Sequence, residues 1–211
     1  MRWQELITAV GPEPIFESGT LLVGPTDLAD VARQLSRWVA DGRLIRLRRG
    51  LYAFGGAEAE IRRRPDPFEI ANRLVPGSYV SLGSVLARAG LIPEHVPVTT
   101  SVTTGRPGRR VTPLGAFVYR HVRTSMFWGF ETETLMSGAR VYVATPEKAL
   151  IDLLYLRADS ADTRYLDELR LQHLESFRLD ALATMAERTG LQRIASAVAY
   201  VIGLAEDEEH E

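Results

Sequence analysis

The sequence has no cysteine. Disulfides and thiolate metal sites are therefore excluded, and a reducing compartment suits the chain. Lysine is nearly absent: of 25 basic residues 24 are arginine, Lys148 being the exception. A bias of that breadth fits a GC-rich genome, so only the placement of the arginines carries information. No apolar run approaches the ~18–20 residues that cross a bilayer. The opening MRWQELITAV carries Gln4 and Glu5 where a secretion signal would be uniformly apolar. A cytoplasmic location without a membrane partner is expected.

Recognisable catalytic patterns are also missing. The histidines His95, His121, His173 and His210 are scattered, with no pair at metal-ligand spacing. No serine sits in a GxSxG elbow. Thr103–Arg110 (TTGRPGRR) lacks the ending of a phosphate-binding loop, and a hairpin turn accounts for its glycines, although Arg106, Arg109 and Arg110 could touch nucleic acid or a partner. Glu147-Lys148 suggests metal-assisted nuclease chemistry, but Thr145-Pro146 beside it reads as a helix start and no second acid stands at strand spacing. The expectation is no catalytic residue, no metal and no cofactor.

What remains is an ordinary globular composition over 211 residues, 45% apolar and 25% charged. The net charge of −2 hides a polarity. Residues 1–64 carry +2, residues 65–145 carry +3 and residues 146–211 carry −7. Residues 28–64 alone hold 9 arginines against 4 acids.

The densest part of that basic front is patterned. Trp3–Val10 reads as a short helix, and Pro14–Gly24 is ambiguous between helix and extended chain, with a short helix expected after Ser18. Thr26 or Asp27 can cap a helix that Gly42 ends. Leu28, Val31, Ala32, Leu35, Trp38 and Val39 share one face of it. Arg33 and Arg37 stand opposite, with Gln34 and Ser36 on the shoulders. In Arg43–Arg48, Ile45 and Leu47 alternate with Arg46 and Arg48, the period of a strand with one wet face. Arg49-Gly50 turns the chain into a return strand over Leu51–Phe54.

A helix with an apolar back and an arginine front, followed by an arginine-rich hairpin, is the outline of a winged helix-turn-helix. The major groove, about 12 Å wide, admits such a helix, and hairpin arginines suit the phosphate backbone or minor groove. Arg33, Gln34, Ser36, Arg37, Arg46, Arg48 and Arg49 are the candidate DNA-binding residues. The same pattern also describes a solvated helix face and a charge-blunted sheet edge, and periodicity alone leaves both open.

Beyond this unit, residues 55–67 (GGAEAEIRRRPDP) break periodicity and read as a linker. Helices are expected at 68–74 and 81–89, antiparallel strands over 96–123 and again at 127–130 and 139–144, then a helix capped by Thr145-Pro146 to about Leu156. Helices follow near 164–170, 179–189 and 191–204. Residues 205–211 form an acidic tail too charged to pack.

Four segments resemble the AbiEi family: LSRWVADGRLIRLRRGLYAF (Leu35–Phe54), SYVSLGSVLARAGLIPE (Ser78–Glu94), TTSVTTGRPGRRVTPLGAFVYRHV (Thr99–Val122) and VYVATPEKALIDLLYL (Val141–Leu156). The resemblance implies an α+β protein in which residues 1–54 form a winged helix and residues 68–204 an α+β antitoxin domain of antiparallel strands with flanking helices. It further implies binding to inverted repeats of operator DNA, autorepression of a toxin–antitoxin operon, and counteraction of a cognate nucleotidyltransferase-like toxin. It points to the same arginines. Two other readings stand beside it: a winged-helix transcription factor whose C-terminal domain senses a ligand or protein, and a nucleic-acid-processing enzyme.

Overall fold

The computed structural model describes residues 1–21, 28–94, 96–160 and 162–208. The chain is mixed α and β, with a small sheet near its N-terminus and a six-stranded mixed sheet after it. Helix α1 (Trp3–Val10) is followed by strand β1 (Ile15–Glu17), a 3-10 turn (Ser18–Leu21) and α2 (Leu28–Ala40). Strands β2 (Leu44–Arg48) and β3 (Leu51–Phe54) form the expected hairpin, and the sheet order is β1-β3-β2, all antiparallel. The expected caps Thr26 and Asp27 lie outside the described residues.

The small sheet is buried on both faces, because its two sides serve different cores. Phe16, Leu44 and Phe54 pack with Leu6 of α1 and with Val31, Leu35 and Trp38 of α2. Ile15, Leu47, Leu51 and Ala53 join the core of the rest of the molecule. Burying a side chain such as Ile15 or Leu51 is worth about 1.5–3 kcal/mol, so the N-terminal unit is held to the body by several such contacts.

The stretch read as a linker is therefore structured. Helix α3 (Gly56–Ile61) occupies half of it. Arg62 lays its guanidinium 4.1 Å from the Phe54 ring centre and donates to the carbonyls of Gly11 and Glu13. Gly55 makes this return possible: a Cβ there would stand 2.5 Å from the Gly42 carbonyl oxygen.

In the body, α4 (Pro67–Leu74) starts on Asp66, whose carboxylate accepts from the Phe68 amide. Strand β4 (Ser78–Val80), α5 (Gly83–Arg88), β5 (Val98–Thr103), β6 (Gly108–Thr112), β7 (Gly115–His121), β8 (Phe130–Thr134) and β9 (Arg140–Ala144) follow. The sheet order is β6-β7-β5-β4-β9-β8. The expectation of an antiparallel sheet fails at two places: β5 and β7 run parallel, as do β4 and β9. After β5 the chain passes β7's position, lays β6 on the outside and returns, so β7 fills the slot between them.

Helix α6 (Pro146–Leu156) begins as its sequence requires, the Thr145 hydroxyl accepting from the Lys148 amide with Pro146 at the first helical position. Helices α7 (Thr163–Glu168), α8 (Leu179–Thr189) and α9 (Gln192–Glu208) complete the described chain. Helix α9 runs into the segment expected to be a frayed tail, because Ala205 still packs in the core. Among the described residues no helix is long and apolar enough to cross a membrane.

Candidate nucleic-acid interface

Helix α2 has the two faces its sequence dictates. Val31, Leu35 and Trp38 are buried against the small sheet, and Trp38 meets Trp3 edge-on at 5.0 Å. Opposite them Arg33, Ser36 and Arg37 are exposed, while Gln34 is half-buried. Arg33 forms an ion pair with Asp30, one turn earlier. The Ser36 hydroxyl donates to the Ala32 carbonyl at 2.9 Å, a local bond that leaves its outer surface in solvent. Arg37 stands in the last turn with no side-chain partner among the described residues.

The hairpin departs from a strict period of two. Its register shifts between Arg46, opposite Tyr52, and Arg48, opposite Leu51. Such a bulge moves every later side chain to the other face. Arg46 is exposed, but Arg48 is carried to the side where Leu51 meets the body. There its Nη2 donates to Glu17 Oε1 and to the Arg73 carbonyl, each at 3.2 Å, and its Nη1 donates to the Arg49 carbonyl at 3.1 Å. Arg48 is therefore a strut between unit and body, unlike its neighbours. Arg49 is exposed at the tip, where Gly50 adopts φ +80° and its carbonyl accepts from the Ser18 amide.

The fold supplies a second group of arginines. Strand β6, an edge of the large sheet, lies beside β2. Arg106, Arg109 and Arg110 on and before it, and Arg120 and Arg123 on and after β7, are all exposed. The sequence between Glu94 and Glu131 holds no acid. The exposed arginines of the hairpin and of the β6–β7 edge thus come from neighbouring elements. The sequence singles out Arg106, Arg109 and Arg110; Arg120 and Arg123 join them at the same end because β7 returns antiparallel to β6, Gly108 lying opposite Tyr119.

The Glu147-Lys148 pair belongs to the core. Lys148 is wholly buried, paired with Asp152 one turn later, and its ammonium also donates to the Tyr79 hydroxyl at 3.1 Å and lies 4.7 Å from the Trp128 ring centre. Asp152 further accepts from Tyr79 (2.9 Å) and Ser81 (2.8 Å). Burial pulls the Lys148 ammonium down and pushes the Asp152 carboxyl up, and each opposes the other's shift. Three donors on one carboxylate suit the ionised pair. Glu147 is also buried, and its Oε1 accepts the Arg178 amide at 3.0 Å, joining α6 to the start of α8. That accepted bond, with those from its own helix start, keeps its carboxyl below the ordinary value against the opposing effect of burial. No three His, Cys, Asp or Glu side chains among the described residues are placed to hold a metal ion.

No family model matches the chain, and no curated protein matches it.

Proposed function

We propose that the protein is a double-stranded-DNA-binding repressor of the antitoxin type, with the N-terminal unit as its winged helix-turn-helix. The observation that carries this reading is the exposure of guanidinium groups on α2 (Arg33, Arg37) and on the β2–β3 hairpin (Arg46, Arg49), two elements packed together through a buried apolar face. The sheet order β1-β3-β2, with α1 before it and α2 leading into the β2–β3 hairpin, supports it, and the 3-10 turn Ser18–Leu21 stands where a winged helix-turn-helix has the helix before its reading helix. In this reading α2 enters the major groove. Arg37, without a side-chain partner among the described residues, is the first choice for a base-edge or phosphate contact. Arg46 and Arg49 lie along the backbone, and Arg109 and Arg110 extend the positive field toward the flanking phosphates.

The antitoxin part of the reading rests on the resemblance of the four segments. Residues 146–211 carry −7, and an acidic surface complements the basic groove expected of a toxin that handles nucleotides.

Fluorescence anisotropy on duplexes from the protein's own promoter tests the DNA-binding part. Arg37→Ala should cost about 1–3 kcal/mol of operator affinity; an unchanged affinity would remove α2 as the reading helix. Co-expression with the neighbouring gene product, scored by growth, tests the antitoxin part, with rescue expected.

A further inference from the structure

A cavity of about 650 Å³ separates the N-terminal unit from the body. Glu13 and Glu17 line it from the first unit, Glu69 and Arg73 from α4, and Arg140 and Tyr142 from β9. Two of the three acids are already neutralised: Arg73 donates to Glu13 at 3.1 Å, and Arg48 donates to Glu17 at 3.2 Å. Glu69 is different. It is only 4% exposed, and its Oε2 is buried with no hydrogen-bond partner among the described residues. Arg73, one turn along the same helix, is turned toward Glu13 and the Ile15 carbonyl.

A buried carboxylate oxygen without a donor is costly, the more so when the group is charged. The residue that carries it lines a cavity large enough for a small molecule. Its ionisable neighbours are Arg73 on α4, Asp66 at the start of α4, Glu13 before β1 and Arg140 on β9. Burial, reinforced by Glu13 and Asp66 and opposed by Arg73, pushes the Glu69 carboxyl up to about 7. The partner it lacks is a cationic donor. No carboxylate trio for a metal ion is present among the described residues, whereas the half-exposed Tyr142 ring offers a face to an organic cation.

We infer that this cavity binds a small organic cation, an ammonium or guanidinium on a short chain, with its charged head on Glu69. Because its walls come from both the arginine-bearing unit and the body, occupancy ties the position of one to the other. That gives the C-terminal body a sensing role, and the binding site stands whether or not α2 reads DNA.

Isothermal titration calorimetry on the full chain, with agmatine and n-butylamine as cationic probes and butyrate as the anionic control, tests it. At about pH 8 the amines should bind and butyrate should not. At about pH 6 the amine affinity should fall roughly tenfold as Glu69 takes up a proton. Glu69→Gln should lose roughly tenfold or more in affinity. Ser137→Arg, at an exposed turn position lining the same cavity, should weaken binding by placing a like charge there, and it decides the matter should Glu69→Gln fold poorly. Absence of amine binding, equal binding of butyrate, or full affinity in both variants would overturn the inference.

Discussion

Replacing Lys148 by methionine removes one half of a wholly buried ion pair in the body. Both Lys148 and Asp152 have side chains that are 0% exposed, so neither charge can turn to water when the other is lost. Lys148→Met keeps the length of the stem and removes the ammonium. Asp152 then retains only the Tyr79 and Ser81 hydroxyls as donors. Breaking a buried pair in this way costs about 3–5 kcal/mol. For a chain of this length that is a fall in melting temperature on the order of 10 °C. Removing both charges is different, because no orphan remains: Lys148→Met with Asp152→Leu should lie within about 2 kcal/mol of the wild type.

The pH dependence carries a sign. In the single variant the Asp152 carboxyl, raised by burial, no longer has the ammonium that opposed the shift. A carboxyl whose folded pKa exceeds its unfolded one contributes stability below the unfolded value and loses it as pH rises through the folded value. Lys148→Met should therefore become progressively less stable above about pH 4, relative to the double variant. Urea melts of the four proteins of the cycle measure this. A single variant within about 1 kcal/mol of wild type, or a double variant as unstable as the single, would show that the lost ammonium leaves no uncompensated charge at Asp152.

Glu69→Gln should raise stability at about pH 8 by roughly 1–2 kcal/mol. The wild-type carboxyl, lifted from 4.5 to about 7, loses its contribution as pH rises across that window, and melts at about pH 4 should show little difference. Gly55→Ala should destabilise by about 1–3 kcal/mol, since the new Cβ meets the Gly42 carbonyl and backbone must move; an unchanged urea midpoint would show that the Gly42 turn yields freely.

The parts of the fold legible in the sequence are those in which local chemistry and tertiary packing agree. The apolar stripe of α2, the Arg49-Gly50 turn and the Thr145-Pro146 helix start are each set by a few adjacent residues. The three-residue strands β1 and β4 are too short for any period to show. Strand β8, FETET, is too polar to read as one and is held by its pairing with β9. The parallel placement of β7 beside β5 depends on long-range pairing that neither strand encodes alone.

At the candidate site the same limit separates Arg46 from Arg48. Alternation puts them on one face, and a bulge at Leu47 puts them on two. The buried role of Lys148 had one signal, the i,i+4 spacing to Asp152 on a helix otherwise apolar.

In the proposed DNA complex Arg46 and Arg49 neutralise phosphates and Arg48 does not. Observed affinity for promoter DNA, followed from low to moderate salt, gives a log–log slope that counts those contacts at about 0.9 per phosphate. The wild type should bind with a clear salt dependence, the slope falling by about one in each of Arg46→Ala and Arg49→Ala and staying unaltered in Arg48→Ala. Salt-independent binding by the wild type, or an equal loss of slope in all three variants, would contradict that assignment.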